Sequence, residues 1–373
     1  MVVCEGTRAE LSFEALKNNV SEINRLSLNK EIIAVVKANA YGHGAEIICP
    51  ALEILGVNHF AVSCVDEALC VKKYVPSAEI LIFGFTAPNR FSEVVENNFI
   101  LGIGDIEYAK SASSYAASAK TKIRTHIKLN TGMNRVGLNS KNELDAVLSF
   151  SGLSPEALYT HFSAADSFDK DDINFTRTQQ EKLLALSRES GLKIHSQNSG
   201  GVLYHSDFKA DYVRVGIMLY GLSPAPYETS FSSPAKLSPV MTFKTNIRQI
   251  RTLETGDFVS YGRTYRSDAK RLAAFIPVGY ADGYSRLNSN SGMVAVKNTI
   301  CPVIGRVCMD STMIDISEAE GVNVGDEVLL YSDRFKETSI EYIADRLGTI
   351  PYEVVCALSG RVKRTAFPAV FPR

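Results

Sequence analysis

The length, composition and charge of the chain exclude several classes of protein. At 373 residues it exceeds the ~250 to 300 residues at which single cores stop growing, so we expect two domains. Hydrophobic residues make up 45% and charged residues 22%, a balance typical of globular rather than disordered or fibrous proteins. Forty basic and 41 acidic residues give a net charge of -1, and no basic stripe is present, which argues against a nucleic-acid partner.

The cysteines and the N-terminal sequence indicate the cellular compartment. Seven cysteines are an odd number and none forms a CxxC pair, which argues against a disulfide framework and against a metal site. The first residues, MVVCEGTRAELSF, lack a basic segment followed by an apolar core. No apolar run approaches the ~18 residues that span a bilayer. We therefore expect a soluble cytoplasmic protein with no membrane segment.

The first predicted helix and strand follow each other directly. Five apolar residues recur at three- and four-residue intervals and would form one helical face: Phe13, Leu16, Val20, Ile23 and Leu26. Ser12 precedes them and is a suitable N-cap. The segment EIIAVVK (31–37) then has five successive apolar residues, which is typical of a strand buried on both faces. Lys37 ends this predicted strand.

Further short apolar runs continue the alternation and predict a barrel. The strand candidates are residues 59–64, 79–85, 99–105, 123–129, 157–162, 193–198 and 211–216. Helical stretches such as 65–75 and 176–190 lie between them. With the first strand they make eight repeats, which predicts an α/β fold with a (β/α)₈ barrel over residues 11–238. Such barrels place their active sites at the C-terminal ends of the strands.

A different pattern begins after about Pro239. Strand-like segments are punctuated by Gly, Asp and Pro: residues 241–253, 271–280, 293–309 and 324–332. They predict a mostly β domain over residues 239–373, and we expect residues 1–10 to pack on it.

Nine motifs along the chain point to one family. They are AVVKANAYGHG (34–44), HIKLNTGMNRVG (126–137), THFSAAD (160–166), QNSGG (197–201), VRVGIMLYG (213–221), SYGRTY (260–265), PVGYADGY (277–284), GRVCMDS (305–311) and GTIPYEVVC (348–356). In this order they closely resemble the motifs of alanine racemases. The resemblance implies an isomerase that uses pyridoxal phosphate to interconvert L- and D-alanine and supplies D-alanine for bacterial peptidoglycan.

The resemblance implies one base on each face of the cofactor. Lys37 would bind pyridoxal phosphate covalently, and Tyr265, in the β domain, would be the second base. Without the motifs, Lys37 could be a structural cation and Tyr265 a surface or interface aromatic. A free tyrosine has a pKa near ~10, so the phenolate needs stabilising neighbours. His161 matches the family residue that supplies this contact.

Other residues match the positions that hold the cofactor. Arg214 matches the arginine that faces the pyridine nitrogen, and because an arginine keeps its proton, the ring should stay unprotonated. This favours racemisation over transamination. The resemblance implies that the cofactor's phosphate lies near these residues: Tyr41, Asn198, Ser199, Gly216, Ile217 and Tyr352.

The substrate carboxylate has matching positions in both predicted domains. Arg135 and the main chain of Met309 match residues that hold it, and Asp310 is expected beside them. Lys128 matches a lysine that is often carbamylated and paired with that arginine. Asn130 stands where the family usually has Asp, and this departure weakens the inference of a carbamate. Two more residues resemble those lining the substrate entryway: Tyr280 and Tyr284.

The two predicted bases fall in different domains, which bears on assembly. The resemblance implies a head-to-tail homodimer in which each barrel mouth is closed by the partner's β domain. Three alternatives remain: a serine or broad-specificity racemase, a decarboxylase with the same cofactor, and a single-barrel protein that only holds the cofactor. Arg214 and Tyr265 argue against the decarboxylase, the β domain argues against the single barrel, and Tyr352 would crowd a serine side chain.

Overall fold

A computed structural model describes residues 6–225 and 233–367 of the chain. Eight parallel strands close into a barrel, confirming the predicted (β/α)₈ architecture. These strands are β2 (Glu31–Val35), β3 (His59–Val62), β4 (Glu79–Ile82), β5 (Ile100–Ile103), β6 (Ile123–Lys128), β7 (Leu153–Tyr159), β8 (Lys193–His195) and β9 (Tyr212–Val215). The barrel closes because β2 pairs with both β3 and β9.

Helices connect the barrel strands on the outside. They are α1 (Phe13–Leu26), α2 (Lys37–Tyr41), α3 (Ala45–Ile54), α4 (Val65–Tyr74), α5 (Phe91–Glu96), α6 (Ile106–Ser118), α7 (Lys141–Leu148), α8 (Lys170–Ser187) and α9 (Ser199–Tyr204). As predicted, Ser12 caps α1 by accepting a hydrogen bond from the Ala15 N–H at 3.1 Å. Helix α8 begins earlier than predicted, because Asp169 accepts hydrogen bonds from the Asp171 and Asp172 N–H groups.

The mostly β part of the chain forms a second sheet, also as predicted. Its strands are β10 (Met241–Asn246), β11 (Gln249–Leu253), β14 (Arg271–Ile276), β15 (Met293–Val296), β16 (Thr299–Ile304), β17 (Thr312–Asp315), β18 (Glu327–Tyr331) and β19 (Lys363–Phe367), joined by β1 (Arg8–Ser12). The order across the sheet is β11-β14-β17-β16-β15-β18-β10-β1-β19. Two short strands, β12 (Phe258–Val259) and β13 (Tyr265–Arg266), pair separately. Helices α10 (Ile340–Leu347) and α11 (Pro351–Cys356) follow β18.

The first strand of the chain belongs to this second sheet and not to the barrel. Strand β1 pairs antiparallel with β10 and parallel with β19. The barrel sequence is thus inserted between two neighbouring strands of the β sheet. One continuous cluster of buried side chains runs through both parts.

Strand β2 is buried as predicted but shorter. Residues 32–36 are all buried, yet the strand ends at Val35, and Lys37 begins the irregular helix α2. The prediction that Lys37 ends a strand is therefore wrong by two residues, because the backbone turns sharply after Val36. Among the described residues, no helix is long and apolar enough to cross a membrane.

Candidate active site

A cavity of about 520 Å³ lies at the C-terminal ends of the barrel strands. Its volume falls in the range of small-molecule and cofactor sites. Most side chains predicted for the site line it: Lys37, Tyr41, Lys128, Arg135, His161, Asn198, Ser199, Arg214, Gly216, Ile217 and Tyr352. Four of these are cationic, whereas none of the described lining residues is Asp or Glu. The cavity is therefore suited to a ligand with several negative charges.

Lys37 enters the cavity from a left-handed turn. The four residues after it, Ala38 to Tyr41, have φ between 52° and 54°, although none is glycine. Left-handed helical backbone costs roughly 1–2 kcal/mol per residue, or roughly 4–8 kcal/mol for four. The turn continues into Gly42 at φ 78°. Such strain persists only where the surroundings over-determine the conformation, and it is concentrated at functional sites.

Arg214 lies on β9 inside the barrel and is 2% exposed. Its guanidinium donates to the carbonyl of His195 at 2.8 Å, to that of Ser196 at 3.1 Å and to that of Thr160. None of these partners is a carboxylate. Burial lowers the pKa of Arg214 to about 10, so the group stays charged near neutral pH even though its proton is held less tightly than in water.

Two histidines also accept hydrogen bonds from the terminal nitrogens of the guanidinium. The Nδ1 atoms of His195 and His161 lie 2.8 Å and 3.3 Å from Arg214. Because arginine only donates, both Nδ1 atoms must accept, and each neutral ring carries its proton on Nε2. Burial, reinforced by Arg214, holds both pKa values well below the usual range for histidine. The Nε2–H of His195 donates to His126 Nδ1 at 3.0 Å. In the same tautomer, the Nε2 atom of His161 carries a hydrogen that can be donated to a ligand or a neighbouring group.

Hydroxyl groups and backbone cluster at another part of the cavity wall. The Gly216 N–H lies 3.3 Å from Ser199 Oγ, and Asn198 caps α9 by accepting from the Gly201 N–H at 2.9 Å. A Cβ on Gly216 would lie 2.5 Å from Tyr41 Oη, so any side chain at this position would displace the Tyr41 ring. The rings of Tyr41 and Tyr352 are 5.9 Å apart. Burial raises the pKa of both hydroxyls, which therefore stay protonated and can donate.

The cations Lys128 and Arg135 complete the lining. Burial, together with Arg135 and Arg214, lowers the pKa of Lys128 to about 8. Arg135 is carried by a loop whose base is closed by hydrogen bonds between Asn130 N–H and Leu138 O and between Leu138 N–H and Lys128 O, at 2.8 Å and 2.9 Å. An uncharged amine at Lys128 is accessible slightly above neutral pH.

Asn130 organises this loop through its side-chain amide. Its Oδ1 accepts from the N–H groups of Gly132 and Asn134 at 3.2 Å and 3.0 Å. Its Nδ2 donates to Asn134 Oδ1 and Asn139 Oδ1, both at 2.9 Å. The amide thus uses both its donors and both acceptor positions within the loop. Asn130, which stands where the family usually has Asp, therefore forms its side-chain hydrogen bonds within this loop, and none of them involves Lys128.

The chain does not bring the residues predicted in the β domain into the cavity. Tyr265, Met309 and Asp310 are absent from the described lining. Met309 is 53% exposed, and Asp310 accepts a hydrogen bond from Arg361 at 2.6 Å. Burial raises the pKa of Tyr265, and the nearby charge of Arg271 offsets only part of this rise. Within one chain, the surroundings of Tyr265 therefore do not stabilise its phenolate in the way predicted.

The two tyrosines predicted for an entryway differ in exposure. Tyr280 is 43% exposed, whereas Tyr284 is 1% exposed and packs near Tyr331. The prediction for Tyr284 is wrong, because its side chain belongs to the core of the β sheet.

Models of protein families match most of the chain. Residues 11–224 match the alanine racemase N-terminal domain, and residues 240–366 match the alanine racemase C-terminal domain. The chain belongs to the alanine racemase family. Membership in this family of isomerases confirms the predicted class of enzyme.

Individual alanine racemases are similar over nearly their whole length. The alanine racemase of Clostridium perfringens is 40% identical over 370 residues, which cover 95% of this chain and 94% of that protein. Among solved structures, the alanine racemase of Clostridium difficile has a TM-score of 0.90 at 31% identity, covering 98% of this chain and 96% of that chain. That of Bacillus anthracis, solved with bound L-Ala-P, has a TM-score of 0.89 at 31% identity, with coverages of 98% and 96%.

Several cavity residues of this alanine racemase family member were not predicted from its sequence. Ser63 follows β3, while Phe83 and Gly84 follow β4. Their positions at strand ends could have identified them, because barrel sites form at those ends. Cys356 reaches the cavity from α11, and no sequence signal singled it out. Among the described residues, no cluster of His, Cys, Asp or Glu could hold a metal ion.

Proposed function

We propose that the protein racemises alanine with pyridoxal phosphate, using Lys37 and Tyr265 as bases on opposite faces of the cofactor. The observation that carries the proposal is the cavity: four cations, five hydroxyl groups and no carboxylate among its described lining residues. Pyridoxal phosphate contributes a phosphate group and alanine a carboxylate, so these charges suit the cavity. Family membership supports the same assignment.

The residues present fit the cofactor in charge and in shape. The hydroxyls of Tyr41, Ser199 and Tyr352 and the N–H groups of Gly216 and Ile217 would hold the phosphate, with Asn198 orienting Ser199. The absence of a side chain at Gly216 leaves room for Tyr41, whose protonated hydroxyl can donate to phosphate. Lys37 would bind the cofactor covalently. When bound, pyridoxal phosphate supplies an electron sink for the charge left at Cα.

The proposed proton transfers use one group on each side of Cα. Lys37 Nζ would remove or return the proton on one face, and Tyr265 Oη on the other. The Nε2–H of His161, whose tautomer is fixed by Arg214, would donate to the Tyr265 phenolate and lower its pKa. This contact is supported by the orientation of the His161 ring, and it requires Tyr265 to come from another subunit.

Arg214 would face the pyridine nitrogen and determine where the carbanion charge resides. With a pKa of about 10 the arginine would keep its proton and leave the ring nitrogen without one. An unprotonated ring is a weaker electron sink, so charge would stay nearer Cα, where reprotonation completes racemisation. Neutral His195 supports this arrangement by accepting from the guanidinium.

We propose that the protein works as a homodimer with shared sites. Residues 258–266, 279–288 and 305–311 carry Tyr265, Tyr280 and Met309 and are joined by hydrogen bonds, including Tyr280 N–H to Cys308 O at 3.0 Å and Ser260 Oγ to Arg306 O at 2.8 Å. These segments expose large apolar side chains: Tyr261, Tyr280, Leu287 and Met309. Such a patch typically marks an interface. It would close the partner's barrel and bring Tyr265, Met309 and Asp310 to Arg135.

Three further assignments remain proposals. The domains would divide into residues 11–238 and 239–373, with residues 1–10 on the latter, and the pairing of Arg8, Ala9 and Glu10 with β10 supports this last placement. Residues 1–5 lie outside the described part of the chain. We also propose a cytoplasmic role in supplying D-alanine for peptidoglycan. The free thiols of the described cysteines are consistent with a reducing compartment.

The proposal is tested by comparing Lys37→Ala with Lys182→Ala, an exposed lysine on α8. Lys37→Ala should lose both the visible absorbance of lysine-bound pyridoxal phosphate and the interconversion of alanine enantiomers, because both need the same amine. Lys182→Ala should retain both. Chiral chromatography of L-alanine and L-serine reactions measures the activity. If L-serine is racemised faster than L-alanine, serine and not alanine is the preferred substrate. Retained activity in Lys37→Ala would refute the assignment of the site.

A further inference from the structure

The left-handed turn after Lys37 is fastened at its start by Glu67, on the first turn of α4. One carboxylate oxygen, Oε1, accepts the Ala38 N–H at 2.7 Å. The other, Oε2, accepts the Ser63 N–H at 2.8 Å. Both Ala38 and Ser63 line the cavity. A single carboxylate therefore joins the chain leaving β2 to the chain leaving β3, immediately beside the cavity.

The end of the turn is fastened by a residue of the β sheet. Arg364, on β19, donates through Nε to the Gly42 carbonyl at 2.9 Å. Its other nitrogens donate to the carbonyls of Leu358 at 2.8 Å and Val362 at 2.7 Å. The guanidinium thereby connects the end of the turn to the segment that follows α11. Gly42 itself cannot carry a side chain, because a Cβ would lie 2.1 Å from the Val355 carbonyl oxygen.

We propose that Glu67 and Arg364 are positioning residues that hold the strained turn from its two ends and thereby aim Lys37 and Tyr41 into the cavity. The positive φ angles from Ala38 to Tyr41 are unfavourable for residues with a Cβ. Without external partners the segment would relax toward right-handed or extended backbone, which would swing both side chains away. Neither clamping residue lines the cavity. The inference rests on the proposed function only in taking Lys37 as the cofactor lysine.

The carboxylate of Glu67 is needed because both of its partners are N–H donors. In Glu67→Gln, one of the two positions becomes an NH₂ group that faces a backbone N–H, so one hydrogen bond is lost and a repulsive contact replaces it. The adjacent Asp66 offers a matched control on the same helix. It loses the same charge in Asp66→Asn, but its partner is the surface residue Arg90.

The experiment measures cofactor binding and turn mobility separately. Pyridoxal phosphate is titrated into apo protein by fluorescence, and the fraction trapped on Lys37 by borohydride is read by peptide mass spectrometry. Glu67→Gln should raise the dissociation constant about tenfold or more, and Asp66→Asn less than about twofold. Hydrogen exchange of the peptide covering residues 36–44 should quicken in Glu67→Gln apo protein and not in Asp66→Asn.

A rescue variant separates positioning from general destabilisation. Ala38→Gly removes the steric cost of positive φ at the first strained residue, so the Glu67→Gln/Ala38→Gly double variant should regain most of the lost cofactor affinity. At the other end, Arg364→Gln should weaken binding like Glu67→Gln, whereas Lys363→Gln, its exposed neighbour, should not. This second pair keeps the test decisive if Glu67→Gln fails to fold.

The outcomes distinguish the positioning role of Glu67 and Arg364 from the proposed function. If wild-type protein never traps pyridoxal phosphate on Lys37, the proposed function is refuted, while the hydrogen-exchange comparison still tests the positioning role. If wild-type protein binds pyridoxal phosphate and both Glu67→Gln and Arg364→Gln keep the wild-type dissociation constant and hydrogen-exchange rate, the positioning role is refuted. A loss of affinity that Ala38→Gly leaves unrepaired would also refute it, because strain in the turn would then not be the cause.

Discussion

Mixing two inactive variants tests whether each site takes its bases from two chains. In one chain, Lys37 lines the barrel cavity and Tyr265 does not. Homodimers of Lys37→Ala and of Tyr265→Phe should both lack activity, since every site in them misses one base. In a mixed dimer, one site combines both defects. The other pairs an intact Lys37 with an intact Tyr265 from the partner and should work normally.

The size of the recovery follows from this arrangement. Random mixing of equal amounts makes about half of the dimers mixed, and each mixed dimer has one working site of two, so activity should return to about a quarter of wild type. Mixing Lys37→Ala with Tyr261→Phe is the matched control. It should give about half, because every site with Lys37 then has both bases.

The assay combines alanine racemisation with a direct measure of subunit exchange. The two variants carry different affinity tags, and native mass spectrometry reports the fraction of mixed dimers. If mixed dimers form and activity stays at background, the shared-site model is refuted. Tyr265 would then have to act within its own chain, which would require a large movement of β13.

Three further predictions concern charge and loop geometry. Arg214→Glu should increase the fraction of turnovers that end in pyruvate, measured with a coupled dehydrogenase, and an unchanged fraction would contradict the role assigned to the unprotonated ring. Because the pKa of Lys128 is about 8, raising the pH from 6.5 to 8.5 should increase its uncharged, CO₂-reactive form. Labelled bicarbonate should then label this residue more at the higher pH; equal labelling at both pH values would contradict the pH dependence, and no labelling at either would exclude the carbamate. Asn130→Ala should raise the KM for alanine about tenfold with kcat little changed, because the Arg135 loop loses four hydrogen bonds. Asn130→Asp, whose neighbours can rotate their amides to donate, should stay near wild type, and an equal KM rise in both would refute this explanation.

The barrel could be predicted from sequence because its strands are buried on both faces. Continuous apolar runs such as residues 32–36, when they alternate with helical patterns, indicate strands of a parallel sheet that is covered on both faces. The exact end of β2 could not be predicted in this way. The turn from Ala38 to Tyr41 opposes the intrinsic preference of its residues, and its two ends form hydrogen bonds with Glu67 and Arg364, which are distant in sequence.

The sequence motifs predict many residues of the candidate site. They do not reveal residues whose role depends on three-dimensional contacts. The apolar pattern places His195 only within a strand, yet its ring accepts a hydrogen bond from the buried Arg214. Tyr284 shares a motif with the exposed Tyr280, but the short helical turn between them directs it into the core. Burial and hydrogen-bond partners of this kind depend on tertiary packing, which a single sequence does not reveal.

The place of β1 between β10 and β19 has a consequence for how the chain is made. Strand β1 leaves the ribosome first, but its neighbours follow more than two hundred and about three hundred and fifty residues later. The barrel can close during synthesis, whereas one edge of β1 stays unpaired until β10 emerges and the other until β19 emerges. Pairing across such separations is slow, and exposed edges invite association with other chains. We therefore expect the β sheet, and not the barrel, to limit the yield of refolding from denaturant.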